Sequence, residues 1–359
     1  MSSTRRFRSL RIASGACSAL AVAILATAGA AAGAELTWDG GAGTLNYLDA
    51  ANWTEDRVPD LENATDTAVL SGGVAVTYTP GGDWLNNSTF TITGAGTSWT
   101  QVEGIAWIKI GRDNGGTPQT GTLNILDGAT FNTGTSDNFM AGNGGYAVIN
   151  VSGGTFNAAS SVTLSGINSA IAVTNNGSAT IASLSWSQGA ISVDSGGVLT
   201  VNDGHVSVAE DRSLSLAGDA SQINLAGELK PAGGLVQVSG GTLTASLISF
   251  DSVDTSLLFS GGRINLTNGT SFDGIFRAGA ERYVDFVGDA QGVLFLGGAD
   301  PSNALNLIND GRVRYMGVLD PSKFIVTEVD GGVEISAVPE PAMLSMLALG
   351  GLAMRRRRR

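Results

Sequence analysis

Ile149-Asn150-Val151-Ser152-Gly153-Gly154-Thr155-Phe156 reads as one corner of a stacked β structure. Apolar Ile149 and Val151 flank polar Asn150, so alternate side chains point to opposite sides of an extended strand. Gly153-Gly154 can enter the left-handed backbone region at little steric cost, as a sharp corner requires. Phe156 then opens a second apolar row. The theme recurs along the chain. Leu123-Asn124-Ile125 leads to Asp127-Gly128 and Phe131, Ile171-Ala172-Val173 to Asn176-Gly177 and Ile181, and Ile191-Ser192-Val193 to Gly196-Gly197 and Leu199. Val236-Gln237-Val238 leads to Gly240-Gly241 and Leu243, and Leu257-Leu258-Phe259 to Gly261-Gly262 and Ile264. The steps from Phe131 to Phe156 and from Phe156 to Ile181 are both 25 residues, and that from Ile181 to Leu199 is 18. Such lengths suit one coil of a β-solenoid.

One such coil cannot hide its own apolar row. Stacking coils buries the rows as a continuous core, with backbone hydrogen bonds running from coil to coil. The expected fold is all-β, a right-handed parallel β-helix. One or two β-sandwiches are the alternative, because the same alternation fits antiparallel hairpins with Gly-Gly and Asn-Gly as their turns.

Composition agrees with many short strands. The 359 residues include 51 Gly and only 8 Pro, with 43% hydrophobic and 14% charged residues. Between Glu35 and Ala337 there are 11 basic against 31 acidic residues. Such a surface repels nucleic acid and anionic lipid at long range. Cys17 is the only cysteine and His205 the only histidine, so cysteine-ligated metal and disulfide frameworks are not expected beyond the N-terminus.

The two ends read as targeting signals. Arg5, Arg6, Arg8 and Arg11 precede an apolar run from Ile12 to Thr27, and Ala32-Gly33-Ala34 supplies small residues at the −3 and −1 positions. This is the order of a secretory signal cleaved after Ala34, which implies export machinery and a signal peptidase as partners. Cys17 precedes most of the apolar run, which argues against a lipoprotein signal. At the other end Pro339-Glu340-Pro341 is followed by an uncharged segment, Ala342 to Met354, and then by Arg355, Arg356, Arg357, Arg358 and Arg359. Thirteen residues of helix span about 20 Å, short of the roughly 30 Å hydrocarbon core. Bilayer thinning or arginine side chains reaching the headgroups must make up the difference.

These last 22 residues resemble the PEP-CTERM sorting signal of Gram-negative bacteria, a tail also described as an ice-binding protein C-terminal region. The resemblance implies cutting near Pro339-Glu340-Pro341 by an exosortase. It implies a membrane-anchored intermediate and delivery to the cell surface or extracellular matrix. Trp38-Asp39-Gly40-Gly41, Ala51-Asn52-Trp53, Pro59 and Asp66-Thr67-Ala68-Val69 resemble the N-terminal segment of bacterial surface proteins with autotransporter-like β-strand repeats. The expected organisation is a signal (1–34), an N-terminal β cap module (35–100), solenoid repeats (101–270), a C-terminal β cap (271–337) and the sorting segment (338–359).

The search for chemistry selects no catalytic, cofactor or metal residues. Asp203-Gly204-His205 superficially resembles the Gly-His element of pectin-cleaving hydrolases, but the companion Asp-Asp, Asn-Thr-Asp and Arg-Ile-Lys segments are missing. A glycosidase needs two carboxylates about 5–10 Å apart. Asp194 and Asp203 on adjacent coils are the pair to inspect, although Asp203-Gly204 also reads simply as a turn. Trp38 and Trp53 either stack on sugars or cap a β core. Thr91-Ile92-Thr93 and Thr242-Leu243-Thr244 suggest an ice-ordering face, but the repeats as read place no such row in register. The leading expectation is a non-enzymatic surface or matrix protein acting in adhesion, with extracellular polysaccharide as a partner. The competing one is a polysaccharide-active enzyme or carbohydrate-binding protein on the same scaffold.

Overall fold

A computed structural model describes residues 33–62, 66–79, 85–102, 107–134, 139–250, 255–268, 282–288 and 291–338. Residues 1–32 of the expected signal, and the sorting segment from Pro339 onward, lie outside the described residues.

The chain is a parallel β-solenoid. Its first sheet carries one inward column through twelve strands: Leu36, Ala68, Phe90, Leu123, Ile149, Ile171, Ile191, Leu214, Val236, Leu257, Val284 and Val313 are successive partners. Every member is buried. A second column runs Val76, Trp99, Phe131, Phe156, Ala179, Leu199, Ile223, Leu243, Ile264 and Leu294. Burying each large side chain contributes on the order of 1.5–3 kcal/mol. In-register stacking also brings like rings together, with Trp99 and Phe131 parallel at 4.4 Å.

Parallel pairing between consecutive coils excludes the hairpin sandwich. The Gly-containing pairs are corners between the first and second sheets. Asp127 and Gly128 stand at φ +52° and +83°, and Asn175 and Asn176 at +52° and +62°. Asn and Asp tolerate this region better than other residues with a Cβ.

The register corrects one spacing read from the sequence. Phe131 does pair with Phe156, but Phe156 pairs with Ala179, and Ile181 with Ala158. Likewise Leu199 pairs with Ala179 and Val201 with Ile181. A two-residue slip leaves every side chain on its proper face, so alternation alone cannot detect it.

The ladder passes through residue 100 without interruption, because Ser98–Gln101 pairs with Ala75–Tyr78 on one side and Thr130–Asn132 on the other. The N-terminal end is filled by Trp38, Tyr47 and Trp53. Trp53 meets both other rings edge-on at 5.3 and 5.1 Å and donates from Nε1 to the Tyr47 carbonyl at 2.9 Å. At the C-terminal end Val293–Gly297 pairs antiparallel with Gly332–Ala337, which pairs in turn with Phe324–Val329. This hairpin covers the last edge of the second sheet, where an open edge would template association. The helix Pro301–Asn309 packs Ala304, Leu307 and Ile308 onto the core, and the Asp300 carboxylate caps it by accepting from the Asn303 amide at 3.0 Å.

Candidate functional site

The third side of the solenoid is where the stacking fails. Ile108, Phe139, Val162 and Leu184 form one inward column through successive pairings. The next strand in line, His205–Ala209, pairs only with Glu228–Ala232, and Leu229 continues to Ile248 by a single bridge. Among the described residues no pairing joins residues 183–186 to His205–Ala209.

The break falls where the corner lengthens. Ile181 and Val201 are level in the second sheet. From there the upper coil reaches Ser183 through Ala182 alone, whereas the lower coil inserts Asn202-Asp203-Gly204 before His205. Gly204 turns the longer corner at φ +65°. Below this corner packing is tight, since a Cβ on Gly227 would overlap the Gly204 carbonyl. Above it, a Cβ on Gly204 would meet nothing within 4 Å. The strand after the corner therefore stays with the coil below and parts from the coil above.

The gap is a cleft of about 360 Å³. Ser183, Ser185 and Ser207 supply hydroxyls, Leu184 and Trp186 an apolar wall, and Asp203, His205 and Arg212 the ionisable groups. Leu184 is half-buried although its column neighbour Val162 is fully buried, which is the expected result of losing the strand beneath it. Arg212 straps the opening. Its Nε donates to the Ser187 carbonyl at 3.0 Å and its Nη1 to the Ser207 carbonyl at 2.7 Å, one from each side of the break. These two bonds take two of the five guanidinium N–H groups. Partial burial pulls this guanidinium below the usual arginine value. Trp186 is fixed by its Nε1, which donates to the Gln188 carbonyl at 3.0 Å.

The residues singled out from sequence fall in different places. Asp203 and His205 line the cleft. Asp194 does not join them, and its expected place on an adjacent coil is corrected. It lies in the same coil as Asp203 but at the corner between the first and second sheets, where Oδ1 accepts from the Ser195 amide at 2.6 Å. The lining thus holds one carboxylate. Trp38 and Trp53 are buried in the N-terminal core, which removes them as sugar platforms. Among the described residues no group of three or more His, Cys, Asp or Glu is placed to hold a metal ion, and no helix is long and apolar enough to cross a membrane.

Ala34, the residue expected before signal cleavage, is part of the described fold. Its amide donates to Asp66 Oδ1 at 3.1 Å and its carbonyl accepts from the Thr67 amide at 2.9 Å. Asp66 also receives the Arg57 guanidinium, whose hydrogen bonds hold this carboxyl below the usual carboxylate range. Ala32 and the sorting residues Pro339, Glu340, Pro341 and Arg355 to Arg359 lie outside the described residues.

Trp186, Ser207 and Arg212 were not legible as site residues. The signal was present as the mismatch between one-residue and three-residue corners, but it becomes visible only once the true register is known.

The second sheet presents a further feature on its outer face. Asn132, Asn157, Thr180, Thr200, Asn224 and Thr244 are successive register partners. Thr130, Thr155, Ser178, Val198, Gln222 and Thr242 form the neighbouring column. Within these twelve positions no residue is charged or aromatic; the next coils continue the columns to Arg263 and Asn265 and then to Val293 and Phe295. The amides also bond along the stack, with Asn157 Nδ2 donating to Asn132 Oδ1 at 2.9 Å and Asn132 Nδ2 to Thr100 Oγ1 at 3.1 Å. A row of Ser, Thr, Asn and Gln, interrupted by Val198, is therefore in register, and as the sequence reading has it no Thr-x-Thr row is: only Thr242-Leu243-Thr244 has that form among these strands. Thr242-Leu243-Thr244 belongs to it. Thr91-Ile92-Thr93 lies on the first sheet.

No family model, no curated protein and no solved structure matched this chain.

Proposed function

We propose that this chain is an exported, non-enzymatic surface or matrix protein that adheres to neutral extracellular polysaccharide, and that its termini act as an export signal and an exosortase-type sorting tail. The observation that carries the reading is the outer face of the second sheet. Between Glu35 and Ala337 acidic residues outnumber basic ones 31 to 11, yet this face is uncharged over the six strands from Thr130 to Thr244, and the next strand adds only Arg263, which is paired with Glu334. Coils repeat at about 4.8 Å, so hydroxyls and amides recur as a neutral hydrogen-bonding array, broken only at Val198. Such an array suits a neutral polyhydroxylated chain and offers nothing to a polyanion.

The test is co-sedimentation of the purified exported protein with insoluble neutral glucan and mannan, together with a reducing-end assay. Retention should fall severalfold in a Thr180→Val, Thr200→Val double variant that keeps the thermal midpoint. Release of reducing ends would overturn the non-enzymatic reading. Thermal hysteresis or ice shaping without polysaccharide retention would overturn the proposed ligand. Fractionation with and without residues 338–359 tests sorting, and unchanged surface delivery of the truncated chain would count against it.

A further inference from the structure

We propose that the cleft in the third sheet is a subsite that takes one unit of a neutral glycan. This rests on the reading that the second sheet meets neutral polysaccharide, and it names where a single sugar of that chain is held. Position comes first. The strand Ser178–Trp186 runs from the neutral face directly into the cleft wall, with Ser178 and Thr180 on the face and Ser183, Ser185 and Trp186 in the cleft. The coil below does the same, since Thr200 on the face is followed closely by Asp203 and His205 at the rim. A chain lying along the face therefore meets the opening at its edge.

Size and chemistry fit one sugar. The cleft measures about 360 Å³, at the small end of ligand sites. It offers what a pyranose ring needs. Half-buried Leu184 forms an apolar wall for C–H groups, bordered by the edge of the otherwise buried Trp186. Asp203 accepts from hydroxyls, the three serines both donate and accept, and Arg212 keeps donors beyond the two spent on Ser187 and Ser207. Asp203 at the rim offsets the Arg212 cation, so the lining has no net positive charge to select a uronate or sulfated sugar, and the neutral class of the adjoining face carries over.

The opening is also held in shape without ligand. Gly227 packs against Gly204 from below and Arg212 ties the Ser187 side to the Ser207 side. Binding then costs little reorganisation.

The experiment uses the full exported protein and soluble tetraoses of β-1,4-glucan, β-1,3-glucan, α-1,4-glucan and β-1,4-mannan. Tryptophan fluorescence and calorimetry follow binding, with Trp186→Phe identifying the reporting ring. One of the tetraoses should bind saturably, and Asp203→Asn should weaken it about tenfold at unchanged thermal midpoint. Thr180→Val should lower retention on insoluble polysaccharide while leaving tetraose affinity intact. If no tetraose binds but insoluble polysaccharide is still retained, the subsite is wrong and the adhesive face stands. If a tetraose binds with the same affinity in Asp203→Asn and with the Trp186→Phe signal unchanged, the sugar sits elsewhere and the assignment falls. If neither tetraose nor insoluble polysaccharide is bound, the functional reading fails first and the subsite with it.

Discussion

The first and third sheets are built from the same coils, yet one stacks from end to end and the other breaks between residues 183–186 and His205–Ala209. Their strands do not explain the difference. Val206 and Val208 are as apolar and as well alternated as Ile191 and Val193, and all four are buried. The coils differ in their corners. Thr174-Asn175-Asn176-Gly177 and Asp194-Ser195-Gly196-Gly197, four residues each, keep neighbouring coils level between the first and second sheets. Asn202-Asp203-Gly204 exceeds the single Ala182 above it, and the following strand departs. Strand sequence sets which side chains go inward; at this break the corners differ by two residues, a difference that Phe139 and Val162 bridge elsewhere in the same sheet.

Five substitutions press on this contrast, arranged as four comparisons in descending order of their largest effect. Ile191→Ala removes a buried side chain from the unbroken sheet and should cost about 3 kcal/mol in denaturant unfolding, whereas Leu184→Ala at the open edge should cost about 1. Equal losses would mean the cleft is closed in solution. Gly227→Ala forces a methyl into the Gly204 carbonyl and should cost about 2–3 kcal/mol, separating His205–Ala209 from Glu228–Ala232 as well. Arg212→Ala deletes the strap and should cost about 1–2 kcal/mol, with faster proteolysis near Ser187 and Ser207. No change would show that the two carbonyl bonds are replaced by water. Gly204→Ala has room for its methyl but keeps φ +65°, so it should cost only about 1 kcal/mol. A Gly204→Ala effect exceeding that of Gly227→Ala would reverse the tight and open sides assigned here.

The contrast also explains what the sequence could tell. Ile149-Asn150-Val151 and its partners announce themselves because alternation and a Gly-containing corner coincide, and they lie in register as read. Leu214-Ser215-Leu216 occupies the same column but was passed over, since Ala217-Gly218 follows it in place of a Gly-Gly or Asn-Gly pair. Trp38 and Trp53 were legible as either platform or core filling, and only the packing with Tyr47 decides for the core. The neutral face needed the two-residue register correction before its columns lined up. Asp203 and His205 drew notice as residues, while the cleft they share with Trp186 and Arg212 depends on a corner mismatch between two coils, a relation no single repeat contains.

Residue-resolved amide hydrogen exchange on the coil from Gly189 to Asp211 and the strand above it tests the central claim most directly. Strands Gly189–Val193 and Val198–Val201 are paired on both sides, so their amides should exchange at the slow limit set by global opening. Alternate amides in residues 183–186 and His205–Ala209 face the gap and should exchange orders of magnitude faster. Uniform slow exchange across all of these strands would contradict a broken third sheet, and with it the cleft.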